Sequence, residues 1–244
     1  MKILLAFSVL LLLNASPCDS PAGNKNAAGF KVLVFSKTAG YRHASIPVGR
    51  QAILDLGLKH GFTADTTEDA SRFTQANLAQ YAVVIFLSTT HDVLNEAQQA
   101  AFENYIRSGG GYVGIHAASD TEYDWPWYGK MVGGYFDSHP EIQEAIVRVK
   151  NHDHAACKGL PNDWKRTDEW YNFKSLNDGV NVLMTLDETT YKGGKNGTYH
   201  PIAWYHEYDG GRVFYTGMGH TSGSYSEPLF LQHVLGGILY AAGK

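Results

Sequence analysis

Cysteine is nearly missing from this chain: its 244 residues include two, Cys18 and Cys157. So few thiols exclude the disulfide framework that staples small exported domains. An excess of one charge sign is also missing, with 20 Lys and Arg against 24 Asp and Glu and a net charge of −4. That balance leaves no electrostatic footprint for nucleic acid as a partner. No GxSxG or GxCxG elbow occurs, so Ser- or Cys-based acyl transfer lacks a nucleophile in its strand–turn–helix setting. The glycines at 109–111 feed a strand pattern rather than a helix, and no GxxxxGK[ST] loop is present. No nucleotide cofactor is therefore expected.

Long apolar runs are scarce as well. Ile3 to Leu13, after Lys2 and before the small residues Ala15 and Ser16, has the pattern of a secretory signal. It is too short for a stable membrane span. Residues 1–20 are read as the signal peptide, 21–29 as a flexible leader, and 30–244 as one domain. The protein is expected to be exported, to the periplasm or cell envelope. Cys18 is either removed with the signal or is a lipoprotein anchor, although Pro17 fits a lipobox poorly. A lipid at Cys18 is the one membrane tie the sequence offers. In either case Cys157 is left without a disulfide partner.

What is present is a regular alternation of apolar strands and amphipathic helices. KVLVFS (31–36) and YAVVIFL (81–87) read as buried parallel strands, and TADTT (63–67) as another. Ser45 with Pro47 opens a helix whose apolar positions are Val48, Ala52, Ile53 and Leu56, ended by Gly61. A short helix is expected near 74–79. Asn95 and Gln98 form a capping box for a helix that buries Ala97, Ala101, Tyr105 and Ile106. This order predicts an α/β fold with a flavodoxin-like, doubly wound, mostly parallel sheet. Beyond Gly133 the alternation at 142–149 and 180–186 predicts antiparallel additions at one edge. Segments 203–208 and 212–216, around Asp209-Gly210-Gly211, predict a hairpin, and Ser226 with Pro228 opens a last helix to Ala242.

Histidine is abundant, at 11 residues, and its placement is uneven. His43, His91, His116 and His220 all follow apolar strands, so central neighbours among those strands would bring them to one crevice. His116 ends GGGYVGIHAASD (109–120), at the point where a nucleophile elbow would carry Ser or Cys. His139 comes from FDSHPE, while Asp168 and Glu169 in TDEWY supply carboxylates able to orient imidazoles or transfer protons. Others have plainer readings. His60 sits at a helix end, His233 inside an apolar helix, and His152, His154 and Cys157 in a loop whose spacing matches no metal template.

Taken together, GYRHASI (40–46), GGGYVGIHAASD, GGYFDSHP (133–140), TDEWYNF (167–173) and HPIAWYHEYDGGRVFYTGMGH (200–220) resemble the ThuA-like family, named for trehalose utilisation. The resemblance runs from Lys31 to about Ala242. It implies the class I glutamine amidotransferase-like fold, with His116 where those enzymes keep a nucleophilic Cys. It also implies carbohydrate catabolism, on trehalose or a 3-keto-disaccharide made by a sugar dehydrogenase of the same pathway. A hydrolase, lyase or isomerase is expected, and not a glutamine amidotransferase. His116 and His220 are expected as base or ligand, Glu169 or Asp120 as acid or orienting group, and His43 and His139 beside them. Tyr41, Arg42, Trp125, Asp168, Trp170 and Tyr171 are expected to contact the sugar. A divalent metal such as zinc, if used, is expected on His116, His139 and His220. The alternative is a non-catalytic carbohydrate-binding or accessory module relying on Tyr41, Trp125, Trp127, Trp170 and Tyr225.

Overall fold

The computed structural model describes residues 29–244; the signal, leader and Cys18 readings fall almost wholly outside that range. Strands β1 (Lys31–Phe35), β2 (Thr63–Thr67), β3 (Val83–Leu87) and β4 (Gly111–Ile115) alternate with helices α1 (Ile46–His60), α2 (Gln75–Leu78) and α3 (Glu96–Arg107). Helix α4 (Pro126–Val132) leads to β5 (Tyr135–Ser138), β6 (Gln143–Val149), β7 (Asp163–Asp168), β8 (Asn172–Lys174) and β9 (Asn181–Leu186). The hairpin β10 (His200–Tyr208) and β11 (Gly211–Thr216) and helix α5 (Pro228–Ala241) complete the chain.

The main sheet runs β2-β1-β3-β4-β11-β10-β9-β6-β7. Its first five strands are parallel neighbours, and every later pairing is antiparallel. The expected parallel sheet with antiparallel additions at one edge is therefore present. Residues of β3 and β4 are buried throughout because helices cover both faces. Phe86 stacks on Phe102 of α3, whereas the next residue, Leu87, lies under Gly49 of α1. Successive strand side chains point to opposite faces, so α1 and α3 lie on opposite sides of the sheet.

Local details follow from the same physics. Asn95 and Gln98 form the expected capping box. The β10–β11 turn holds Asp209 and Gly210 at φ 48° and 97°, the left-handed pair that matches the twist of a two-residue hairpin. Three expectations need correction. The Ser45 hydroxyl does not cap α1 but reaches the Gly219 carbonyl at 3.5 Å. Val48 is 40% exposed, and Ile46 is buried in its stead. On α3 Phe102 is buried beside the expected Tyr105 and Ile106, while Ala97 faces solvent, because the stacked aromatics turn that helix toward Phe86 and Tyr112.

Glu122 is the polar group on which the segment before α3 depends. It is buried, and its Oε1 accepts hydrogen bonds from the Val93 and Leu94 N–H groups at 2.8 Å each. Oε2 accepts from Gln99 at 2.7 Å. Burial pushes its carboxyl pKa up, against the pull of those donors. Glu122→Ala would orphan two buried N–H groups, and we expect a loss of about 2–3 kcal/mol in urea unfolding.

Candidate active site

Four strand exits deliver the chemistry. The chain leaves β1 into the loop that carries His43, β4 into His116, β7 into Glu169, and β11 into the Gly217–His220 turn. His116 follows Ile115 directly and has φ 52°. A left-handed residue without glycine costs on the order of 1–2 kcal/mol, so other contacts must hold it there. Its Nδ1 lies 2.9 Å from the Gly217 carbonyl, and its own carbonyl accepts from the Tyr215 hydroxyl at 2.8 Å. Its ring packs on Tyr171 at 4.2 Å between centroids. A carbonyl only accepts, so Nδ1 carries the hydrogen and Nε2 of the neutral ring holds the lone pair.

Asp168 fixes the geometry from below. Its carboxylate is fully buried and accepts from the N–H groups of Gly219 at 2.8 Å, His220 at 3.1 Å and Glu169 at 3.0 Å. Arg166 stands 3.2 Å away on the same strand face. Arg166 in turn reaches Ser224 at 2.9 Å and Glu227 at 3.2 Å, and lies over the rings of Trp164 and Phe230. One buried ion pair thus joins the two segments that carry Glu169 and His220.

The result is a tight cluster. His116 Nε2 lies 3.1 Å from His220 Nδ1 and 3.3 Å from Glu169 Oε2, and His220 Nδ1 is 3.0 Å from the same oxygen. His43 meets both other histidines edge to face, at 4.8 and 5.1 Å between centroids. One ligand atom from each of His43, His116, His220 and Glu169 lies within 4.8 Å of the rest. Burial, followed by the neighbouring imidazoles, pushes the His43 pKa down to about 3, so its ring is neutral. Burial raises the Glu169 carboxyl, but the adjoining imidazoles of His116 and His220 outweigh it and hold the group well below its ordinary range.

Above the cluster opens a cleft of about 360 Å³, lined by Tyr41, His43, Asp120, Phe136, His139, Glu169, Tyr171 and His220. His139 stands at its mouth, 43% exposed, with Nδ1 3.1 Å from Glu169 Oε1 and 2.9 Å from the Pro140 carbonyl. Both partners accept, so Nδ1 carries a hydrogen, and in the neutral tautomer Nε2 holds the lone pair. Of the trio expected for a metal, His116 and His220 converge, together with His43 and Glu169, and His139 lies outside that group. Asp120 accepts from the Tyr123 hydroxyl at 2.6 Å, and burial raises its carboxyl pKa.

Other expected residues lie elsewhere. Asp168 does not face the cleft, for its oxygens are consumed below it. Trp170 is fully buried and donates to the Gln143 carbonyl, and Trp125 stacks on Trp127 and donates to Glu103. Arg42 pairs with Glu68 at the surface. Tyr225 lines a separate apolar groove between α1 and α5. Among the five aromatics considered for a binding module, Tyr41 lines the cleft, 65% exposed. His91 packs against Gly40, outside the quartet. His152 bonds Asn162, His154 caps a short turn, and Cys157 is buried with its thiol pKa pushed up to about 12. Sequence reasoning missed Arg166 and Phe136. The alternation of DWKRTD, which places Trp164, Arg166 and Asp168 on one buried face, was the signal for the first.

A family model described as ThuA, trehalose utilisation, matches residues 31–241. A solved ThuA-like protein from Bacteroides uniformis is 27% identical, covering 91% of this chain and 95% of its own, with a TM-score of 0.74. Another, from Parabacteroides merdae, is 22% identical over 88% and 91%, with a TM-score of 0.75. A protein described as a component of GMP synthase, from Thermoplasma acidophilum, shares the fold at 12% identity, 88% and 95% coverage and a TM-score of 0.55. No curated protein matches the chain.

Removing the carboxylate beneath the cluster should be costly. Asp168→Ala leaves Arg166 buried without its strand partner, and we expect about 3 kcal/mol of destabilisation or more by chemical denaturation. Asp168→Asn keeps the volume and should lose less.

Proposed function

The chain belongs to the ThuA family, and on that premise we propose that its cleft acts on a small carbohydrate, trehalose or a 3-keto-disaccharide, by acid–base or metal-assisted chemistry. The observation that carries this reading is a buried His/Glu cluster beneath a cleft of about 360 Å³ with the His139 imidazole at its mouth. That volume falls at the small end of ligand sites and suits one sugar ring. The walls supplied by Tyr41, Phe136 and Tyr171 give a flat apolar face for that ring. An exported location, suggested by the first residues, fits a protein that meets sugars outside the cytoplasm.

A carbonyl at C3 of a glycoside acidifies the proton at C2, and the glycosidic oxygen at C1 is then placed for elimination. His139 Nε2 takes the C2 proton, held in register by its Nδ1–H to Glu169. The electron pair passes to the carbonyl oxygen and returns to break the C1–O bond. Asp120, its pKa raised by burial, donates a proton to the leaving alcohol. Water then adds across C1 and C2, so the net reaction is hydrolysis without a covalent nucleophile. The cluster of His116, His220, His43 and Glu169 lies at the floor of the cleft, where a cation held by these residues would meet the charge on the carbonyl oxygen.

The test is a product assay with a 3-keto-disaccharide and with trehalose, paired with calorimetry. Turnover is expected for the wild type, with a fall of about 10²-fold or more in kcat for His139→Ala. His116→Ala and His220→Ala should abolish turnover with the fold intact by circular dichroism. Sugar binding without any product would overturn the enzyme and leave a carbohydrate-binding module.

A further inference from the structure

We propose that His43, His116, His220 and Glu169 together hold one divalent transition-metal ion at the floor of the cleft. The ion's catalytic role rests on the sugar reading above, but its binding does not. Three ligand atoms, His116 Nε2, His220 Nδ1 and Glu169 Oε2, form a triangle with sides of 3.0, 3.1 and 3.3 Å. Tetrahedral zinc with bonds of about 2.0–2.1 Å spaces neighbouring ligands by about 3.3 Å, so the triangle already has the size of one face. His43 supplies the fourth ring, with its ligand atom within 4.8 Å of the others.

The hydrogen count points the same way. The Gly217 carbonyl takes the His116 Nδ1 hydrogen, which leaves a lone pair on Nε2. Glu169 Oε2 can only accept. His220 Nδ1 has at most one hydrogen to offer two acceptors at 3.0 and 3.1 Å. Lone pairs thus exceed protons at one buried point, and a cation there satisfies them all. The His43 Nδ1 adds to the deficit, being buried with no hydrogen-bond partner among the described residues.

The supporting shell is that of a ligand set rather than of a packed core. His116 has its second nitrogen tied to a backbone carbonyl, as ligating imidazoles do. The His220 backbone is clamped by Asp168. Glu169 gives its other oxygen to His139, keeping Oε2 for the ion. Three imidazoles and one carboxylate suit Zn²⁺, Fe²⁺, Co²⁺ or Ni²⁺ and disfavour Mg²⁺ and Ca²⁺, which take oxygen ligands. Such an ion would act as a Lewis acid toward a carbonyl oxygen of the bound sugar.

The test uses the full-length protein, stripped with a chelator and titrated with Zn²⁺ and with Co²⁺. One ion per chain is expected by elemental analysis, with a visible Co²⁺ spectrum of four- or five-coordinate nitrogen ligation. His43→Ala and Glu169→Gln should each weaken affinity by at least the roughly 10–100-fold that losing an outer partner costs. His139→Ala, which removes an outer partner of Glu169 rather than a ligand, should weaken affinity by less than either of those variants. Glu169→Gln keeps the side-chain volume, so it decides the matter should His43→Ala fail to fold. No stoichiometric ion in the wild type, or affinity unchanged in the folded variants, overturns the site. Tight binding with no turnover of either sugar would overturn the sugar reading and leave the metal site standing. Full turnover by the stripped protein would remove the ion's catalytic role.

Discussion

The site hangs on the buried contact between Arg166 and Asp168. Two charges out of water are costly unless their remaining lone pairs and hydrogens are used. Here they are, because the Asp168 oxygens also take the N–H groups of Gly219, His220 and Glu169. The same carboxylate that balances the charge therefore sets the backbone of two cluster residues. It draws β7, the last strand of the sheet, onto the exit of β11, four strands away in the order. Without that tie, nothing in sheet pairing alone would bring Glu169 under His220.

Much of the fold is legible in the chain itself. β2 begins and ends where its pattern does, and the capping box of α3 is present atom for atom. Strand and helix periods are local properties, so the chain states them locally. Strand order is not local. Nothing in residues 211–216 says that β11 inserts beside β4, and that placement decides which histidines meet. His91 illustrates the difficulty. It follows β3 as His116 follows β4, yet three residues separate it from Leu87, and the chain has turned away by then. Asp168 and Glu169 are adjacent in sequence and opposite in fate, one a buried anchor and the other facing the cleft. A period of two separates such neighbours, but the charged residues of DWKRTD hid that strand.

The left-handed backbone at His116 fixes where its side chain points. The turn aims a side chain out of the sheet whatever that side chain is. Imidazole there meets a carbonyl through one nitrogen and its neighbours through the other, so the bend is held by both ends of the ring. Cysteine or serine at the same bend would lack the reach to do both. The cluster and the bend are thus one device, and the aromatic contact from Tyr171 closes it from the side.

The position of β11 also governs when the site can exist. The strand enters the middle of the sheet, between β4 and β10, after about two hundred residues have already been made. His43 is synthesised early, His116 midway and His220 near the end. A nascent chain therefore carries three of the four cluster residues with the sheet centre still unpaired. Non-local pairings of this kind are slow to form, so the four cluster residues meet only once β11 has taken its place beside β4.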